Sequence, residues 1–241
     1  MTTTFSVTRD QVIQGALRIL GVVIEGQVPT TEQYTTGTEA LNYLLKSWNR
    51  QGLNLWTMRM ASIPLDSGTA LYTLGPTGSV VMDRPLKILN AYIRTSSGND
   101  TPITPVTKAE YNMLGSKTSQ GRPNQFHYDP YLNNGTILFY PVPNDSTLTA
   151  WFEYQAPISD IAASTGIPDD IPASTDIPEV PQEAYQALKW GLADQLSLEY
   201  GVDAQTRGEI STRAALEKKD FFDYNVEDGS ITFQPFYSGR Y

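Results

Sequence analysis

The sequence predicts an α+β fold in which N-terminal and C-terminal helices form one bundle and an antiparallel β domain, a sheet or small barrel, is inserted between them. At both ends of the chain, apolar residues recur at steps of three and four, as on one face of a helix. In the middle the period is two, and turn clusters such as DSG, NNG and PND are frequent. With 241 residues and no cysteine, the chain can bury a sizeable core without disulfides.

The N-terminal segment is predicted to form a helical hairpin. Thr8 is the expected N-cap of the first helix, and Gly21 is the expected left-handed residue just after it. The second helix is expected to begin near Thr30 or Thr31 and to end before Gly52. The glycine- and proline-containing link between them favours two helices that fold back on each other.

The β domain is predicted from six alternating segments and one helical turn. The expected strands cover residues 58–65, 70–74, 86–94, 125–128, 136–140 and 147–154. A short helix is expected over residues 108–114, with Thr107 as its N-cap. Because turn chemistry separates most of these strands, the pairing is expected to be antiparallel.

The C-terminal part is predicted to contain a proline-rich loop, two helices and an extended tail. Pro181 is the expected first residue of one helix, which Gly201 closes, and the next helix spans residues 204–222 with a face of small side chains. The predicted division of the chain is therefore an N-terminal hairpin at 1–56, a β domain at 57–157, a proline-rich extended loop at 158–180, the C-terminal helices at 181–223 and a docking tail at 224–241.

Negative charge is concentrated in the last third of the chain. The formal net charge is −9, yet residues 1–150 carry 11 basic and 10 acidic side chains, whereas residues 151–241 carry 6 and 16. This balance disfavours a protein that coats nucleic acid, because phosphate binding needs clustered lysine and arginine. It leaves two interpretations open: a solvated acidic face, or a surface that repels a polyanion.

The sequence contains no convincing catalytic, cofactor or metal site. The single histidine, His127, lies two residues from Asp129, but no nucleophile motif accompanies the pair. Phosphate-binding glycine motifs and calcium loops are absent, so no cofactor is expected. No segment has the ~20 apolar residues of a membrane span, and no signal peptide is recognised, which predicts synthesis in a cytoplasm and no membrane partner.

Five collinear segments carry a resemblance to a known family. They are IQGALRILGVVIEGQVPTTEQYTTGTEALNYLLKSWNRQGLNLWT, IPLDSGTALYTLGPTG, RPLKILNAYIR, GRPNQFHYDP and ILFYPVPNDSTLTAWFEY. In this order the segments resemble the head-to-tail adaptor proteins of short-tailed bacteriophages. The resemblance covers most of the chain from Thr8 to about Phe222, and it departs from the family pattern in the proline-rich insert and the tail.

The resemblance implies a structural virion protein that is not an enzyme. It implies a ring of twelve copies in the neck between capsid and tail, with the portal protein and a tail nozzle or other tail proteins as partners. Double-stranded DNA would pass through the ring without sequence-specific binding, and the ring would seal the packaged DNA. The alternatives are another tail-neck ring, such as a nozzle or stopper, and a virion-associated cell-wall hydrolase acting through paired carboxylates.

Two sets of residues become candidates for assembly under this resemblance. The tail aromatic and aliphatic residues would contact the portal or a neighbouring subunit: Ile231, Phe233, Phe236, Tyr237 and Tyr241. Acidic residues of the C-terminal helices would line a channel and repel DNA: Glu183, Asp194 and Glu199.

Overall fold

Both N-terminal helices are present in the structure, a computed structural model that describes residues 6–51, 55–158 and 180–224. Helix α1 spans Arg9–Ile19 and α2 spans Thr31–Asn49. Each begins with a capping box: Thr8 caps α1 and Thr30 caps α2, and in each case the glutamine three residues later bonds back to the cap. The predicted helix starts are therefore confirmed.

Helix α4 (Ala184–Leu196) lies at the centre of the bundle and contacts α1, α2 and α5 (Ala204–Tyr224). Pro181 was expected at the start of α4, but the Ala184 N–H donates to the Pro181 carbonyl, so a tight turn precedes the helix. The fully buried side chains of the bundle core include Ile13, Leu17, Leu41, Leu45, Trp48 and, on α4, Leu188, Leu192 and Leu196.

Aromatic rings at one end of the bundle hold α5 against α2. The Trp48 ring centroid lies 5.6 Å from that of Phe221 and 5.8 Å from that of Phe222. Trp56, in a short 3₁₀ turn before the β domain, lies 5.0 Å from Phe221. Tilted and edge-on ring pairs at these distances add to the energy of burial. The C-terminal helix is therefore fixed to the N-terminal hairpin.

The β domain is a nearly closed, mostly antiparallel eight-stranded sheet. Its strand order is β1-β10-β4-β5-β7-β8-β2-β3, with parallel pairing only at β5–β7 and β2–β3. A second sheet pairs β6 with β9. The strands are β1 Met58–Pro64, β2 Leu71–Gly75, β3 Val80–Val81, β4 Lys87–Arg94, β5 Asp100–Pro105, β6 Gln120–Gly121, β7 Gln125–Asp129, β8 Gly135–Tyr140, β9 Val142–Pro143 and β10 Thr149–Gln155.

All six predicted strands form, and so does the predicted short helix, α3 (Lys108–Met113), capped by Thr107. Four strands were not predicted. Strand β5 reads DTPITP, with two prolines and a single buried residue, Ile103, so its sequence has no strong alternation. The other three, β3, β6 and β9, have two residues each. Pairing with neighbouring strands, not local propensity, accounts for all four.

The described residues form two separate apolar cores. One lies among the helices, and the other lies inside the sheet. The sheet core includes Ile63, Leu74, Ile93, Phe126, Ile137, Phe139, Ala150 and Phe152, each at most 1% exposed. The predicted α+β fold class is confirmed: helices from both ends of the chain pack together, and an antiparallel-rich sheet lies between them in sequence.

Candidate functional site

His127 is buried in the β domain, and its contacts indicate a structural role. It lies on β7, with 7% of its surface exposed, and Tyr111 of α3 stacks on its ring at 6.1 Å. Its Nδ1 lies 2.9 Å from the Val106 carbonyl oxygen, which can only accept, so Nδ1 carries a hydrogen. Its Nε2 lies 3.6 Å from Asp129 Oδ2 and makes no hydrogen bond within the described residues.

Asp129 is engaged by a lysine and not by the histidine. The Lys108 Nζ donates to Asp129 Oδ2 at 2.6 Å, which ties the first residue of α3 to the end of β7. This hydrogen bond holds the pKa of Asp129 below its ordinary value and raises the pKa of Lys108. No serine or threonine hydroxyl is bonded to His127 in the part of the chain that the structure describes. The His127 and Asp129 pair therefore lacks the geometry of a catalytic triad.

The pairing of Asp129 with Lys108 predicts a loss of stability in acid. The pKa of Asp129 is lower in the folded than in the unfolded protein. Its contribution to the free energy of unfolding is therefore present above about pH 4 and disappears as the pH falls through the folded pKa. Asp129→Asn is expected to reduce the pH dependence of the free energy of unfolding below pH 4. Urea titrations followed by circular dichroism at several pH values measure this. Glu25→Gln, which removes one exposed carboxylate from the α1–α2 turn, is the control; an equal reduction there would contradict the assignment.

An ordered aromatic and cationic cluster lies on the outer face of the sheet. Tyr92 of β4 and Trp151 of β10 are direct cross-strand partners, and their ring planes differ by 3°. The Arg94 guanidinium lies 5.4 Å from the first ring centroid and 5.0 Å from the second. Arg94 donates from Nε and Nη2 to the two oxygens of Asp100, at 2.7 Å each, and these bonds lower the pKa of that carboxyl. The sequence alone carries no signal for this cluster, because the cluster depends on strand register.

The acidic residues predicted to line a channel lie at the two ends of α4 and in the turn that follows it. Glu183 is exposed at the N-cap of the helix, and Asp194 is half-buried in its last turn. They are eleven positions apart in the sequence, so they lie on the same helix face about 16 Å apart. Glu199 is exposed in the turn after α4. The predicted tail contacts Ile231, Phe233, Phe236, Tyr237 and Tyr241, like the proline-rich insert 159–179, lie outside the described residues.

A groove runs between α4 and α5. Two adjoining cavities of about 370 and 550 Å³ share Asp194, Gln195 and Ser211 in their walls. The small residues predicted to allow close helix approach form one wall of this groove and are exposed: Ala204, Gly208, Ser211 and Ala215. The buried side chains of α5 are Ile210, Ala214 and Phe221, and Ala214 also lines the groove, so the groove borders the inward face of the helix. We call the space formed by these two cavities the α4–α5 groove.

Groups that could hold a metal ion are absent from the described ranges 6–51, 55–158 and 180–224, where three or more acidic or histidine side chains never converge. Within the same ranges, no helix is long and apolar enough to cross a bilayer. The described surface carries a groove, an aromatic cluster and acidic helix ends, which are features suited to contact with other molecules.

Comparison with known families assigns the chain. The family model described as SU10 adaptor protein matches residues 8–223, from the cap of α1 to the last turn of α5. The chain belongs to the SU10 adaptor protein family. This is a phage head-to-tail adaptor family, so the resemblance seen in the sequence is confirmed. Among curated proteins, none matches the chain significantly. As a member of the SU10 adaptor family, the protein has a structural adaptor role in a phage particle and contacts other head or tail proteins.

Proposed function

We propose that this protein is the head-to-tail connector adaptor of its phage: copies assemble into a ring between the portal and the tail, seal the packaged DNA and let it pass on ejection. The observation that carries the proposal is the family match, which covers the bundle, the sheet and both ends of α5 in one collinear stretch. The same ring would have twelve copies and no catalytic activity. Its place would be the virion neck, after synthesis in the host cytoplasm.

The tail is proposed to make the main contact with the portal or with a neighbouring subunit. Residues 224–241 carry five large apolar or aromatic side chains within eleven positions: Ile231, Phe233, Phe236, Tyr237 and Tyr241. Aromatic side chains of this kind supply most of the energy at protein interfaces. Solvent exposure of such a segment is unfavourable, so a docking partner accounts for its composition.

Acidic residues are proposed to line the channel and keep DNA from adhering. The excess of acid in residues 151–241 supports this, as does the exposure of Glu183 and Glu199. A ring repeats each charge once per subunit, which multiplies the repulsion of phosphates at the wall. Of the three acidic residues, Asp194 is the least suited to line a channel, because it faces the α4–α5 groove. DNA would pass without sequence-specific contacts.

Electron microscopy of the protein mixed with isolated portal tests the proposal. We expect a ring on the portal, with the tail at the contact and acidic side chains at the lumen. A variant with Phe233, Phe236 and Tyr237 replaced by serine is expected to bind at least tenfold more weakly, a loss of about 1.4 kcal/mol or more. Absence of a ring would count against an adaptor, and binding to tail proteins alone would indicate a nozzle or stopper. A neutral or basic lumen would refute the channel assignment.

A further inference from the structure

The α4–α5 groove is an open site at the surface of the bundle. Its floor is apolar where α2 reaches it, at Leu44 and Trp48, and its α5 wall carries small side chains. A Cβ atom built at Gly208 would meet no atom of another part of the described chain within 4 Å, so there is open space at that point of the groove. Leu198, at the same end, is 69% exposed. Covering a surface of this kind with an apolar segment is favourable, because it removes apolar area from water.

We propose that in the free protein residues 231–237 of the tail lie in the α4–α5 groove of their own chain. The tail begins directly after Tyr224, the last residue of α5, and α5 is itself one wall of the groove. From Tyr224 back to Ser211 the helix rises about 20 Å. Residues 225–241 can extend over roughly 55 Å, so the tail is long enough to run back along the whole groove.

The size and charge of the groove fit this segment. A cavity of about 150 Å³ admits one benzene ring, so sections of about 370 and 550 Å³ admit several aromatic side chains. Lys218 lines the end of the groove nearest to Tyr224. The tail carries Glu227 and Asp228 just before its apolar residues, where a returning chain would pass this lysine. Basic residues lie at both ends of the groove, Lys218 near Tyr224 and Arg207 near Ala204, with Asp194 between them. The tail thus brings acid past Lys218 and aromatic rings to the apolar section.

This inference goes beyond the proposed function, because it concerns the protein before it meets any partner. The aromatic residues that would bind the portal would first be covered by the groove, which keeps free copies from associating through them. The portal would then compete with the groove for the same side chains. Failure to bind a portal would leave the groove inference untouched, and the experiment below uses no portal.

Thiol reactivity tests the inference in the full chain, which has no native cysteine. Ser211→Cys places a thiol inside the groove, and Glu209→Cys places one on an exposed position of the same helix, outside the lining of both groove cavities. We expect the thiol in the groove to react about tenfold faster when Phe233, Phe236 and Tyr237 are replaced by serine, as for a docking free energy of about 1.4 kcal/mol. The control thiol should react at one rate with either tail. Equal rates in the groove with both tails would overturn the inference.

Disulfide trapping then distinguishes the occupant. A chain carrying both Ser211→Cys and Phe236→Cys is expected to close an internal disulfide in dilute solution, faster than a chain carrying Glu209→Cys and Phe236→Cys. Non-reducing gel mobility and mass spectrometry measure the product. Disulfide-linked dimers without the internal product would assign the groove to a second copy and overturn docking within one chain. Slow and equal formation of the internal disulfide in both variants would also overturn docking within one chain.

Discussion

Trp48→Ala is expected to lower the free energy of unfolding of the helical bundle by about 3–5 kcal/mol. Trp48 is completely buried on α2, and its ring contacts both Phe221 and Phe222 of α5. Alanine would leave a cavity where three helices meet and would remove the aromatic contacts that hold α5. Since a domain of this size is stable by only about 5–15 kcal/mol, the variant should lose a large part of its stability. Chemical denaturation followed by circular dichroism measures the loss.

Tyr43→Ala is the matched control on the same helix. Tyr43 is 61% exposed and donates a hydrogen bond to Glu39, one turn earlier. Its replacement should change the free energy of unfolding by no more than about 0.5 kcal/mol. Similar losses in the two variants would mean that α5 is not held by the Trp48 contacts, and the described packing of the bundle would then be wrong.

Helix boundaries could be predicted because their causes are local in sequence. Thr8, Thr30 and Thr107 each precede a helix, and each has a glutamine or glutamate three residues later that completes a capping box. A cap of this kind needs only four consecutive residues, so the pattern is visible before any tertiary contact is known. The end of the first helix is also set locally, because Gly21 adopts the left-handed conformation, with a φ of 71°, just after the helix.

Strand order and the surface clusters could not be predicted, because they depend on distant partners. Strand β5 forms because β4 and β7 pair with it on either side, although its own sequence contains two prolines. The cluster of Tyr92, Arg94 and Trp151 requires the register between β4 and β10. Nothing in the spacing of these residues along the chain indicates that register.

The candidate assembly residues were predicted from charge, composition and family resemblance, which are properties of the chain and not of an assembled ring. The acidic side chains Glu183 and Glu199 are exposed, as a contact or channel surface requires. The role proposed for them requires many copies together, since a lumen exists only in a ring. The groove between α4 and α5 has no sequence signal beyond the stripe of small residues on α5, and such a stripe is equally typical of a helix-packing face.

Phe152→Ala is expected to lower the free energy of unfolding of the β domain by about 3–5 kcal/mol while leaving the bundle intact. Phe152 is completely buried on β10, between β1 and β4, and packs in a core that contains no residue of the bundle core. If the two cores unfold as separate units, hydrogen exchange should accelerate in β1, β4 and β10 and stay unchanged in α1 and α4. Trp48→Ala should give the opposite pattern.

Met60→Ala provides the control for the sheet. Met60 lies on β1, beside β10, and is 57% exposed, so its truncation should alter exchange little. Faster exchange throughout the chain in Phe152→Ala would show that bundle and sheet unfold together, and the division at residue 57 would then have no energetic meaning. Separate responses would have a consequence for assembly: a subunit could change the contacts of its bundle with other phage proteins without disturbing the sheet, because no shared core would transmit the strain.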